Sequence, residues 1–342
     1  MHASQTTSGA QTLDRRALLI GAGATVAGLA AFGVVRNWLH DKSPVFIAAG
    51  QKYNNGLEQT IRDGLVASGL SPAQMRDKRV LLKPNLVEPT KRSPHMTTHP
   101  AMVQAAAAVF RGWGAKVIVG EGPGHVRDTE MALLESRMSE ALDAAELAFA
   151  DLNYEEVRFV PNAGKASKLD GFYFPRSVVE ADLIVSMPKM KTHHWVGFTA
   201  AMKNLYGVIP GIKYGWPKNV LHHAGIPQTV FDINASLPKT IAIVDGIECM
   251  EGDGPIMGSA KQMGLVIVGT NPTAVDATVA RIMDLDPARV SYLGLAADRL
   301  GPIAEKWIEQ RGERWQDHKS RFEIIDAAHL RSLRPKPGWL IT

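Results

Sequence analysis

The chain has 342 residues, 45% of them hydrophobic and 21% charged, with 38 Lys and Arg against 34 Asp and Glu. That usage is ordinary for a globular protein and excludes a disordered chain. The net charge of +4 is spread without a Lys/Arg block, which argues against a nucleic-acid partner, and the single cysteine, Cys249, excludes an internal disulfide and an iron–sulfur cluster on this chain.

At the N-terminus, Arg15-Arg16 precede Ala17 to Val35, 19 residues without a charge. Paired arginines before a Gly/Ala-rich apolar run resemble a twin-arginine export signal. The run is also near the length that spans a bilayer, so a cleaved signal and a retained anchor both stay open. The twin-arginine machinery is then an expected partner. The expected location is the periplasm or the outer face of the cytoplasmic membrane. Residues 1–40 read as signal or anchor with a linker, and residues 41–342 as a single domain.

From Val45 onward strands alternate with helices. Continuous apolar, β-branched runs predict strands at Val45–Ala48, Val80–Leu82, Lys116–Val119, Leu183–Val185, Ile241–Val244 and Leu265–Val268. Runs without polar alternation indicate strands covered on both faces, as in parallel sheets. Helical patterns fall at Leu57–Ser68, Pro100–Gly112, Gln228–Leu237, Pro272–Asp284 and Pro287–Leu300. The fold class is therefore α/β, mainly parallel, with helices on both faces. Residues 157–160 and 172–174 predict an inserted β-hairpin with a tight turn at Asp170-Gly171. Residues 187–226 lack regular periodicity and predict a long, ordered, basic loop. A last strand is predicted at Phe322–Ile325.

Open α/β sheets bind ligands beyond the carboxyl ends of their strands. Five strand ends carry polar, Gly- or Pro-bearing segments: Lys83-Pro-Asn85, Gly120 to His125, Ser186 to His194, Asp245-Gly246 and Gly269-Thr-Asn271. The glycines at 120, 122 and 124 follow a strand, yet meet neither dinucleotide-binding nor P-loop spacing. The densest segment, Pro188 to His223, holds Lys189, Lys191, His193, His194, Lys203, Lys213, Lys218, His222 and His223. Such a group either binds a carboxylate or phosphate, or forms a metal or acid/base site, because imidazole both titrates near neutrality and ligates metals. Lys203 stands among Trp195, Val196, Phe198, Leu205 and Val208, company that lowers a lysine's basicity and suits covalent or base chemistry. Among the carboxylates Glu121, Asp128, Asp232, Asp245, Asp253 and Asp276, the strand-end Asp245 is the first choice to orient a histidine or lysine.

An ordered set of segments carries a family resemblance. Lys83-Pro-Asn85, Pro188-Lys-Met-Lys-Thr-His193, Lys203-Asn-Leu-Tyr-Gly207 with Pro210-Gly211, Asp245-Gly with Gly252-Asp-Gly-Pro255, and Asn271-Pro-Thr-Ala-Val-Asp276 resemble domain of unknown function 362. A second resemblance runs from His193 through Lys203 and Pro210-Gly211 to His222 or His223. It is similar to the core of nickel-pincer lactate racemases. It implies Lys203 as the tether of a nickel-pincer cofactor, His222 or His223 as the metal ligand, and His193 and His125 as acid/base groups. Asn204 after the lysine and Ala200-Ala201 before it depart from that pattern.

Together these readings give an exported enzyme acting on a small anionic substrate, a carboxylate or hydroxy acid. Its chemistry is racemase-, epimerase- or oxidoreductase-like. His125, His193, Lys203 and Asp245 are the candidate catalytic residues. Lys83, Asn85, Lys189, Lys191 and Asn204 are the candidate substrate contacts, and His193 and one of His222 and His223 are expected to share a cavity with Lys203. The other reading is a non-catalytic envelope protein that binds an anionic ligand or a redox partner.

Overall fold

A computed structural model describes residues 42–54, 56–124 and 127–335. The arginine pair at 15 and 16, the apolar run after it, and His125 lie outside the described residues. The described residues form twelve strands: β1 (Ser43–Ala48), β2 (Arg79–Pro84), β3 (Lys116–Glu121), β4 (Phe149–Asp151), β5 (Val157–Pro161), β6 (Gly171–Pro175), β7 (Leu183–Met187), β8 (Lys189–His193), β9 (Gly197–Thr199), β10 (Thr240–Glu251), β11 (Ser259–Gly269) and β12 (Ile308–Gly312). The main sheet runs β12-β1-β11-β10-β7-β2-β3-β4, and β8 joins it through β10 and carries β9. Strands β10, β7, β2, β3 and β4 are mutually parallel.

The continuous apolar runs have a direct cause. Alternate residues of one strand point to opposite faces, and both faces are covered. Leu81, Ile184, Ala242 and Val244 join one core. Val80, Leu82, Leu183, Val185, Ile241 and Ile243 join the other. Helices Leu57–Ala67 and Pro100–Gly112 cover the second face, and Ile226–Ser236 and Pro272–Ile282 cover the first. Burying each large apolar side chain contributes about 1.5–3 kcal/mol. Pro100 and Pro272 occupy first-turn positions where a missing N–H costs nothing, behind the N-caps His99 and Asn271.

Several details differ from the sequence reading. Strand β11 is antiparallel to β10, so Gly269-Thr-Asn271 leaves the sheet at the opposite edge from the other segments. There Asn271 caps a helix instead of facing a ligand. The inserted hairpin pairs Val160 with Phe172, but Asp170-Gly171 is not its turn. The connection is residues 162–170, fastened to Asp232, whose carboxylate accepts from the Ala166 and Ser167 amides at 2.8 and 2.7 Å. Phe322–Ile325 makes only a bridge at Ile324; the last strand of the sheet is β12. Residues 287–300 form a short 3-10 turn and the helix Ser291–Ala296, not one helix. The basic segment 188–223 contains β8, β9 and several short helices. Among the described residues no helix is long and apolar enough to cross a membrane.

Candidate active site

A cavity of about 90 Å3 opens where β2, β3 and β7 end. Each element delivers specific side chains. Strand β2 brings Lys83 and the following Asn85, β3 brings Glu121, and β8 brings Lys191 and His193. The short helix Ala201–Asn204 brings Lys203 and Asn204, and the helix Asn219–His223 brings His222. Lys218 completes the wall. It sits in the left-handed backbone region at φ 70°, uncommon for a residue with a side chain.

Most of these groups are firmly held. Lys83 forms an ion pair with Glu121 and also donates to Pro84 O at 2.7 Å and to Asn204 Oδ1 at 3.0 Å. Lys191 donates to Asn85 Oδ1 at 2.7 Å and to Met96 O at 2.8 Å. Lys218 donates to Gly122 O at 2.8 Å and to Tyr206 O at 3.0 Å. Gly207 is required by close approach. A Cβ there would stand 2.1 Å from Glu121 Oε1 and 2.4 Å from Lys83 Nζ. Lys203 differs from its neighbours. Its amine lies 4.0 Å from the centre of the Tyr206 ring and makes no hydrogen bond or ion pair among the described residues.

Four lysines and three histidines meet one carboxylate here, and the electrostatics follow. Burial, aided by the Lys83 charge, pushes the Lys203 amine down to about 7. Burial brings Lys218 to about 7 as well, against the pull of Glu121. Lys191 falls well below the usual lysine range, through burial and then the Lys203, Lys189 and Lys83 charges. His193 falls well below the usual imidazole range through burial and then Lys203. Its Nδ1 accepts from the Trp195 amide at 3.2 Å, so the neutral ring carries its proton on Nε2. Trp195 also meets His222 edge-on, ring centres 4.7 Å apart.

Residues 80–281 match the family described as Domain of unknown function (DUF362). The chain belongs to that family. It is 28% identical over 227 residues to a thylakoid-associated protein of Synechocystis sp., a match that covers 65% of this chain and 68% of that protein. Among solved structures it is similar to the lactate racemase apoprotein of Thermoanaerobacterium thermosaccharolyticum, with TM-score 0.44 and 11% identity over 72% of this chain. The chain spans 58% of that racemase.

In this DUF362 protein the candidates divide into two groups. Lys83, Asn85, Lys191, His193, Lys203, Asn204 and His222 share the cavity. Lys189 and Asp245 do not reach it. They face each other across the β8–β10 pairing, Nζ to Oδ2 at 2.7 Å, and both are fully buried. Asp245 also accepts from Tyr53 Oη at 2.8 Å and from the His99 amide at 2.9 Å, which leaves it no capacity to orient a cavity group. The cavity's carboxylate is Glu121 instead. The signal for it was positional: Glu121 ends β3, the strand beside Lys83 on β2. Tyr206, Trp195 and Lys218 also line the site, and Asp276 supports it. Fully buried, Asp276 accepts from the Ala201 and Met202 amides at 2.6 and 3.1 Å and so fixes the helix that carries Lys203. Burial raises its carboxyl to about 7 against those two hydrogen bonds.

A nickel-pincer cofactor can be tested against this donor set. His222 lines the cavity, whereas His223 is exposed on the same short helix, so the two do not converge on one ion. Among the described residues no three His, Cys, Asp or Glu side chains group as a metal site. The residues therefore fit only a metal that arrives with most of its ligands on an organic group. Lys203 and His222 would hold such a group.

Proposed function

We propose that this protein is an enzyme that binds a small carboxylate, a hydroxy or oxo acid, in the Lys203 cavity and moves a proton on it. The observation that carries this reading is charge: four lysines and three histidines surround one carboxylate, Glu121, already paired with Lys83. Buried cations without counter-charge are costly and either neutralise or find an anion. A substrate carboxylate supplies that anion. Protonated as the anion enters, Lys191 has two of its three donors filled, so one remains for a carboxylate oxygen.

Proton transfer needs a base and an acid matched to neutral pH. Lys203, with its amine near 7, serves as the base. His193, neutral with its hydrogen on Nε2, holds a substrate oxygen by a hydrogen bond. This pairing supports a racemase- or epimerase-like reaction at the carbon beside the carboxylate. A bound nickel-pincer group would add an electron sink to that chemistry, while binding and proton transfer belong to the chain's own residues.

Binding is tested by calorimetric titration of the full-length protein with lactate and with pyruvate, in buffers of different ionisation enthalpy. An anion favours the protonated lysines, so binding above pH 7 takes up protons and weakens as pH rises toward 10. Binding without proton uptake, or none at all, removes the support for this cavity as the site.

Export by the twin-arginine route, to the periplasm or the outer face of the cytoplasmic membrane, is part of the same proposal. It rests on Arg15-Arg16 before the uncharged run, and the thylakoid association in the relative's name supports a membrane-proximal location. Replacing both arginines with lysine should retain the protein in the cytoplasm. Unimpaired export of that double variant contradicts the route.

A further inference from the structure

We propose that Lys203 forms an imine with a small 2-oxo acid, its Nζ attacking the keto carbon and the keto oxygen leaving as water. This rests on the reading of the cavity as a carboxylate site and goes beyond it by naming the functional group and the bond.

Position selects Lys203 over its neighbours. Lys83, Lys191 and Lys218 each donate to two or more oxygen partners, which fix the direction of their nitrogens. The Lys203 amine has none among the described residues and faces the cavity. Attack on a carbonyl needs a free, neutral amine. Burial and an adjacent cation are the two devices that keep a lysine neutral near pH 7, and both operate here. The short helix beneath is anchored by Asp276 at two amides, so the amine approaches from a fixed base.

The rest of the cavity serves the same addition. The free donor of Lys191 takes the substrate carboxylate. As the Nζ–C bond forms, the keto oxygen takes the Nε2 proton of His193, and the nitrogen of the adduct returns a proton to that ring. A second protonation from Nε2 breaks the C–O bond as the remaining N–H proton of the adduct passes to the ring, so water leaves and His193 is neutral again. The product is a C=N bond, with no change of oxidation state and no co-reactant. Protonated, the imine is a cation, and the Tyr206 ring face already placed at Nζ stabilises it.

The test is reductive trapping on the full-length protein. Pyruvate with sodium cyanoborohydride should add one reduced pyruvate per chain by intact mass, and peptide mapping should place it on Lys203. Trapping should be half-maximal near pH 7, and lactate, which lacks the keto group, should suppress it by competition. Lys203→Arg, checked by thermal unfolding, should lose this label and keep any surface labelling. Pyruvate that binds by calorimetry yet never labels Lys203 overturns the imine and leaves the anion site standing. Failure of both pyruvate and lactate to bind overturns both. A purified protein that already carries a covalent group on Lys203 also overturns the imine, because the amine is then committed elsewhere.

Discussion

Two groups of buried lysines stand on neighbouring segments of this sheet, and they are built in opposite ways. Around Lys189, charge is balanced. Asp245 pairs with it, Tyr53 Oη accepts from it at 2.9 Å, and the Tyr53 ring stacks on His99 at 3.7 Å between centres. Burial then holds His99 near 4, neutral, despite the adjacent Asp245. Around Lys203, among the described residues, cations outnumber the one carboxylate and an amine is left without a hydrogen-bond or ion-pair partner. The first group is complete in the folded chain, whereas the second is the one we propose an anion completes. Burial alone does not separate structure from function here; the charge balance of the buried set does.

The comparison breaks first at Asp245. Asp245→Ala leaves Lys189 buried and unpaired and removes the acceptor for Tyr53 and the His99 amide, which should cost about 3–5 kcal/mol in chemical denaturation. Carboxylate affinity of the molecules that remain folded should not change. A substantial loss of affinity would place Asp245 in the site after all. Gly207→Ala should cost less, about 1–3 kcal/mol, because its Cβ must displace the Lys83–Glu121 pair. Here affinity should fall along with stability, in contrast to Asp245→Ala. Unchanged pyruvate titration of Gly207→Ala would show that the pair is not part of the cavity's working geometry.

The smallest effect is on pH dependence. Lys203 and Lys218 sit near 7 in the folded protein, against roughly 10.4 for an unfolded lysine. Between those values the unfolded chain keeps protons that the folded chain has released. Their contribution to stability therefore rises with pH from about 7 to about 10, and the cost of burying two cations is full below 7. Thermal unfolding of Lys203→Met should show a flatter rise over that window than the wild type. An equal slope would show that Lys203 is an ordinary exposed amine.

Much of this architecture was legible because parallel strands advertise themselves. The runs at Val80, Leu183 and Ile241 are apolar on both faces, and the Pro100 and Pro272 helices begin at their prolines. The clustering of His193, Lys203 and His222 was legible in outline from composition and strand-end placement. Strand direction was not. An antiparallel β11 has the same apolar pattern as a parallel one, so the pattern alone puts Asn271 at the wrong edge. Pairing partners were equally hidden. Glu121 ends β3, whereas the apolar run before Asp245 hides that β10 continues through it to Glu251, where the β8–β10 register sets Asp245 opposite Lys189. The supporting role of Asp276 was hidden too, because its targets, the Ala201 and Met202 amides, are distant in sequence.

The most direct test of this contrast is competitive labelling of lysines with an amine-reactive reagent across pH 5 to 11, read residue by residue by mass spectrometry. Lys203 should react with a midpoint near 7, pyruvate should protect it, and Lys189 should stay unlabelled until the protein unfolds. A Lys203 midpoint near that of surface lysines, or labelling of Lys189 in the folded protein at the same rate as Lys203, would contradict the contrast.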